Sequence, residues 1–362
     1  MPAVIGLPGY TYAAPLVIDH TKVGSGGVSD FQLLPPMNLP DALAAKIAHE
    51  DCRDLRFTLA DGTLLYHELV SASRSAQTLQ TWVRVPSVLS SSDTTIWGQV
   101  GNAAATMPSA AEQQATWEGY AALWHLNNVA DIADSTGNGN FGTPNACGSE
   151  DGLIGPATVF NGSTSWINCG TGESLNIAMP LSISAWVKPF DATEQGYLFD
   201  RCGGTRWGYG LHWQLTPDSL MLASGNGTLF TNTHSRAHFT DAGTWVYVSL
   251  DIDATGAVTF GRNGASAGTA TVSIAPQTVS REAYIGRRAG GTEAVIMFRG
   301  SMQHLGVAAV ARPISQRYTE FNNQSAPAAF STWGPLETLS SYIPHRRNII
   351  YRSGPTLRGV IS

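Results

Sequence analysis

The stretch LSISAWVKPF, Leu181–Phe190, alternates residue by residue. Leu181, Ile183, Ala185 and Val187 share one face, and Ser182, Ser184, Trp186 and Lys188 share the other. A period of two is the pattern of a β-strand. TWVYVSLDI, Thr244–Ile252, repeats it, with Val246, Val248, Leu250 and Ile252 opposite Trp245, Tyr247, Ser249 and Asp251. Both faces carry bulky groups, so both segments are predicted to be strands covered on two sides, within stacked sheets.

Further strands are expected at Thr11–Asp19, Asp30–Leu34, Leu55–Leu59, Leu64–Leu69, Leu79–Val85 and Thr95–Val100. A second series includes Ala121–His125, Ser165–Cys169, Tyr197–Asp200, Trp207–Leu215, Val258–Gly261 and Phe298–Val310. Helical periodicity is confined to Asp41–Ala48, Ser109–Trp117 and Pro313–Asn323. Many short strands broken by Gly, Asn, Asp and Ser predict an all-β chain of two β-sandwiches. The Ala/Ser/Gln-rich stretch Ala103–Ala115 divides them. The expected organisation is a small β-sandwich over 1–116, a larger one over 117–334 and a basic arm over 335–362.

Composition fits this picture. The chain has 362 residues, of which 13% are charged against a usual value of about 25%. Ten Trp, eleven Tyr and twelve Phe are spread along it and supply a core. A net charge of −6 argues against a general nucleic-acid partner. No apolar run approaches the ~20 residues of a membrane span, so no membrane insertion is expected. The start, MPAVIGLPGY, is neither basic nor continuously apolar and is not read as a secretory signal. Cys52, Cys147, Cys169 and Cys202 fit no zinc or redox spacing and are read as buried thiols, with a Cys147–Cys169 bridge as the alternative.

From about 120 to 334 the chain resembles the laminin-G-like, concanavalin-A-type jelly roll. The resemblance rests on ALWHLNN (Ala122–Asn128), DSTGNGNFGTP (Asp134–Pro144), ATVFNGSTSWINCG (Ala157–Gly170), LSISAWVKPF, GTWVYVSLDID (Gly243–Asp253), AYIGRR (Ala283–Arg288) and FRGSMQHLGV (Phe298–Val307), in that order. The first half resembles a small β-domain of unknown function that precedes such jelly rolls. It does so through YTYAAPLVIDHTKV (Tyr10–Val23), DLRFTLADGTLLYHELVS (Asp54–Ser71), LQTWVRVPSVLSSSDTTIWGQVGN (Leu79–Asn102) and WEGYAALWHL (Trp117–Leu126). The pair implies a structural or adhesion protein, found in tailed-phage particles and on bacterial surfaces. It implies binding rather than catalysis.

Candidate sites follow. In TRWGYGLHW (Thr205–Trp213), Arg206, Trp207 and Tyr209 offer an aromatic platform with a polar neighbour, as sugar stacking needs; the alternative is core packing. Asp134, Asn138 and Asn140 supply the hard oxygens calcium prefers, or else a side-chain-locked turn. The resemblance implies calcium near this loop, helped by an acid in the last long strand; where such jelly rolls show Gly-x-Ile-Asp-Glu this chain has Gly300-Ser301-Met302-Gln303-His304, so both acids are gone. No cofactor is expected, calcium being the one the loop could offer a place. Glycan hydrolysis needs two carboxylates flanking the scissile bond. Asp251 and Asp253 come nearest and read as a strand end entering a turn, so no enzyme is expected.

In the arm, Arg346, Arg347, Ile349, Ile350, Tyr351 and Arg352 form a basic-apolar patch suited to docking on a neighbouring subunit. The expectation is a tailed-phage virion protein, tail-associated or decorating the capsid. Its partners would be other virion proteins, copies of itself and a host-surface glycan. The alternative is a bacterial surface or secreted glycan-binding module.

Overall fold

The computed structural model describes residues 4–191, 195–202, 207–215, 218–235, 241–277, 280–289 and 296–339. Among these, antiparallel strands build four sheets stacked in layers. In the first half, Tyr12–Ile18, Arg56–Thr58, Leu64–Leu65 and Thr94–Val100 lie in one sheet. Val28–Leu33, Thr78–Val88 and His67–Ser73 form the second. Leu16, Phe31, Phe57, Val83, Val85 and Ile96 fill the space between.

The second half is a jelly roll. One sheet runs in the order Gly148–Asp151, Pro156–Asn161, Arg299–Ala308, Leu181–Pro189, Val246–Ile252, Ala257–Arg262 and Ala265–Thr271, with Tyr120–Trp124 also paired to Arg299–Ala308. The facing sheet runs Phe230–His234, Asp218–Asn226, Trp207–Leu215, Gly196–Asp200, Tyr284–Ile285, Trp166–Asn168 and Thr143–Asn145. The alternation read from the sequence sets the core. Leu181, Ile183, Ala185, Val187, Val246, Val248, Leu250 and Ile252 all point between the two sheets.

The opposite faces of those strands are buried too, as expected, and the structure shows by what. Trp186 and Tyr247 join Leu34, Trp82 and Trp117 in a second apolar layer that glues the two domains together. Strand Thr78–Val88 mirrors this, with Leu79, Val83 and Val85 in its own core and Trp82 in the seam. Helix Ile314–Ser325, capped by Pro313, lies in the same seam. Its Asn323 side chain accepts from Leu34 N and donates to Leu34 O, both at 2.8 Å, as an inter-strand partner would.

Three expected bounds need correction: the domain limit at 334, one helix and one strand. Residue 334 is not a structural boundary: Ser331–Trp333 and Glu337–Thr338 both pair with Tyr12–Ile18. That apolar strand would otherwise present an open edge. The jelly roll is thus an insertion into a domain built from both ends of the described chain. The helix expected over Asp41–Ala48 spans only Asp41–Ala44, and Leu64–Leu69 is split at Tyr66. The cysteines are free thiols, as read, buried at Cys52, Cys169 and Cys202 and partly exposed at Cys147, and the alternative Cys147–Cys169 bridge does not form. Burial pushes Cys52 and Cys202 up to about 12, which leaves both unreactive.

Candidate glycan-binding cleft

Strand Trp207–Leu215 turns its bulky face inward. Tyr209 is 1% exposed, donates its hydroxyl to Leu175 O at 3.0 Å and stacks on Phe199. It is a core residue, and its expected place on a sugar platform is withdrawn. The physical reason is size. The alternate positions Gly208 and Gly210 are small, so the tryptophan and tyrosine side fills the sandwich. Trp207 is half-buried at the strand's end, its ring lying against Gly227. Arg206 lies outside the described residues, as do Arg346, Arg347, Ile349, Ile350, Tyr351 and Arg352 of the arm.

Of the two readings of Asp134, Asn138 and Asn140, the hydrogen bonds favour the turn over calcium. Asp134 Oδ1 accepts from Leu123 N, Thr136 N and Thr136 Oγ1, while Oδ2 accepts from Asn140 N and Asn140 Nδ2. Asn138 Nδ2 donates to the carbonyls of Tyr120 and Ala121. The side-chain oxygens of Asp134 already face hydrogen-bond donors, and Asn138 presents its amide nitrogen to the chain. The donor set does not fit a metal. It is the side-chain-locked turn named as the alternative. Gln303, which replaces one of the family's acids, pins the neighbouring loop. Its Oε1 accepts from Leu153 N and Ile154 N, and its Nε2 donates to three carbonyls.

The cleft that can take a ligand lies elsewhere, where three strands end together. Register pairs Lys188 with Ser301, Pro189 with Gly300 and Arg299 with Asn161. Gly300 has φ +146°, and a Cβ there would stand 2.4 Å from Lys188 O, so only glycine lets the strands close up. Beyond them opens a cleft of about 550 Å³, lined by Glu150, Lys188, Phe190, Arg299 and Ser301. Phe190 continues the outward parity of Lys188, and its ring is 58% exposed. The Arg299 guanidinium carbon sits 3.6 Å from the ring centroid.

Lys188 ion-pairs with Glu150 and lies 5.4 Å from the Trp245 ring centroid. Ser301 Oγ donates to Glu150 at 2.6 Å. Partial burial pulls the Glu150 carboxyl upward, but the bonds from Lys188 and Ser301 outweigh it and hold the group below the usual range. It therefore stays an acceptor at neutral pH. A ring more than half exposed, with a guanidinium over it and charged hydrogen-bonding groups beside it, suits a pyranose, which has an apolar face and polar rim.

Sequence reasoning missed this cleft because its walls come from residues 150, 188–190 and 299–301. The available signal was Phe190, a large apolar side chain on the polar parity of its strand. Three tryptophans of the jelly roll divide. Trp124 and Trp186 are buried, but Trp245 is partly exposed beside the cleft.

Residues 161–313 match the model of the concanavalin A-like lectin/glucanases superfamily, and residues 51–124 match a domain of unknown function, DUF2341. No curated protein matches the chain. Among solved structures, domain 4 of an extracellular GH43 arabinanase from Geobacillus stearothermophilus, in complex with arabinotriose, is 24% identical. That match covers 56% of this chain and 98% of the other, with a TM-score of 0.44. The binding domain of Paraclostridial mosquitocidal protein 1 is 14% identical over 57% of this chain and 52% of its own, TM-score 0.46. A structure of botulinum neurotoxin type C, whose cell entry is described as dependent on two ganglioside molecules, is 13% identical over 57% and 52%, TM-score 0.44. The chain spans about half the length of these toxin chains.

Proposed function

We propose that this chain, in which a DUF2341 domain is joined to a concanavalin A-like jelly roll, is a non-enzymatic adhesion protein that holds a glycan in the cleft at Phe190. The observation that carries the reading is the exposed Phe190 ring in a cleft of about 550 Å³ bordered by Lys188, Glu150 and Arg299. Glu150 is the one carboxylate among the described residues lining it, where glycoside hydrolysis needs two. Asp251 is engaged by Arg317, and Asp253 accepts from Thr255 N and Ala257 N within its turn. Phe190→Ala is expected to weaken binding on a glycan array about fivefold or more, since a stacking contact is worth about 1 kcal/mol. Trp207→Ala should leave binding unchanged. The reverse result would move the site to Trp207, and reducing-sugar release by the purified protein would refute the non-enzymatic reading.

In this reading the protein is carried on a tailed-phage particle, tail-associated or decorating the capsid, with other virion proteins and further copies of itself as partners. The support is the pairing of the two domains, together with a low-charge surface suited to exposure. Mass spectrometry of purified particles tests it; recovery only in bacterial surface or secreted fractions would favour the bacterial glycan-binding module. The arm docks on a neighbouring subunit. Truncation after Leu339 keeps Glu337–Thr338 on its sheet, and is expected to lower the native mass to that of a monomer without unfolding the protein.

A further inference from the structure

A pair of imidazoles closes the seam between the domains, away from the glycan cleft. His125 follows strand Tyr120–Trp124, and His304 stands in strand Arg299–Ala308 at φ +50°. Left-handed backbone is unfavourable for a residue other than glycine. Here it accompanies a shift in register that interrupts the strand's alternation, with Met302 in the jelly-roll core before it and Leu305 and Val307 after. The His304 ring thereby faces the seam. It stacks on Trp82 of the N-terminal domain, centroids 4.1 Å apart and planes 5° from parallel. Its Nδ1 lies 3.2 Å from His125 Nδ1. His125 Nε2 is 2.9 Å from Glu68 Oε2, on the N-terminal domain. The Glu68 carboxylate also accepts from Trp117 Nε1 at 2.6 Å and from Ser135 Oγ at 2.8 Å.

Two nitrogens at that distance share one proton: one donates and the other accepts. If both rings become imidazolium, two N–H groups point at each other and the contact cannot persist. We propose that the His125–His304 pair is an acid-operated latch, which on taking up a second proton parts and loosens Trp82 and Glu68 of the N-terminal domain from the jelly roll.

The groups facing the pair are few. From strand His67–Ser73 comes Glu68; from Thr78–Val88 and Ala115–Trp117 come the neutral indoles of Trp82 and Trp117; from the jelly roll comes the Ser135 hydroxyl, with Asp131 lining the adjoining cleft. Burial raises the Glu68 carboxyl, but the His125 charge and three hydrogen bonds outweigh it and set the group below its usual range. The carboxylate therefore does not absorb the proton first. Burial, with the His125 charge second, holds His304 well below the ordinary histidine value. Above the ordinary value of about 6.5 both closed and open seams are unprotonated at His304, and pH has no effect through it. Below it only the open seam takes the proton, so the closed form loses about tenfold per pH unit.

Global unfolding is a poor readout. Burial also depresses His67 to about 4 and His212 to about 3, and both destabilise the folded chain in acid with the same sign. Amide hydrogen exchange of the full chain reads the seam directly. Corrected for intrinsic rates, exchange in Thr78–Val88 and Arg299–Ala308 is expected to rise about tenfold per unit between pH 6.5 and 5. Tyr12–Ile18 and Ala257–Arg262 should not follow. His304→Asn, which tolerates left-handed backbone and does not titrate, should abolish the rise. A wild-type seam no steeper than the control strands overturns the proposal, as does a wild-type slope retained in His304→Asn. If that variant does not fold, the wild-type comparison decides alone.

Discussion

Arg317→Met is expected to destabilise the protein by roughly 3–5 kcal/mol, read as a fall in the urea midpoint at unchanged slope. The Arg317 side chain is 1% exposed. Its Nε and Nη2 grip Asp251 at 3.0 and 2.8 Å, and Nη1 donates to Glu320 at 2.8 Å. Tyr247 donates to the same Glu320 carboxylate at 2.6 Å. Removing the guanidinium takes the closest counter-charge from two buried carboxylates, and the cost of that exceeds the value of the pair itself. Arg317→Lys, which keeps the charge but not the two-pronged grip on Asp251, should recover part of the loss. A cost under about 1 kcal/mol for the single change would mean the network is solvated, as exposed pairs are.

The same helix shows where sequence reading stops. ISQRYTEFNNQS looks like a surface helix, poor in apolar residues, yet Arg317, Thr319, Glu320, Asn323 and Gln324 are all buried. Each meets a partner far away in sequence: Thr319 accepts from Gly24 N, Gln324 from Trp186 Nε1, Arg317 binds Asp251. Hydrophobic periodicity cannot reveal a face that docks by hydrogen bonds. Parity was legible wherever one face is apolar. Hence LSISAWVKPF and TWVYVSLDI gave the jelly-roll sheet and its two-sided burial. Ala265–Thr271, built only of Ala, Ser, Gly and Thr, carries no such contrast and went unseen. At Trp207–Leu215 the aromatic residues alternate with glycines at 208 and 210. The error over Tyr209 lay in which face points outward, although the glycines between already answered it.

Asp134→Ala is expected to cost roughly 2–5 kcal/mol, because the backbone N–H groups of Leu123 and Asn140 lose their acceptor inside the fold and each buried orphan costs about 1–3 kcal/mol. The consequence reaches the core: Asn140 O accepts from Trp124 Nε1 at 2.6 Å, so a loosened turn also releases a buried tryptophan. Asn140 Nδ2 points at Ala121 O, Asp134 Oδ2 and Ser174 Oγ, all within 3.0 Å. An amide thus gathers the oxygens that a cation would otherwise organise, without a charge to desolvate. Adding calcium or a chelator to the wild type should leave its Tm where it is. A Tm that climbs with calcium and falls with chelator would mean that the amide yields to the ion, and the turn would then have to be redrawn as a metal loop. Asn140→Ala separates the two accounts: a hydrogen-bonded turn loses stability at any calcium concentration, whereas a metal loop would be rescued by the ion.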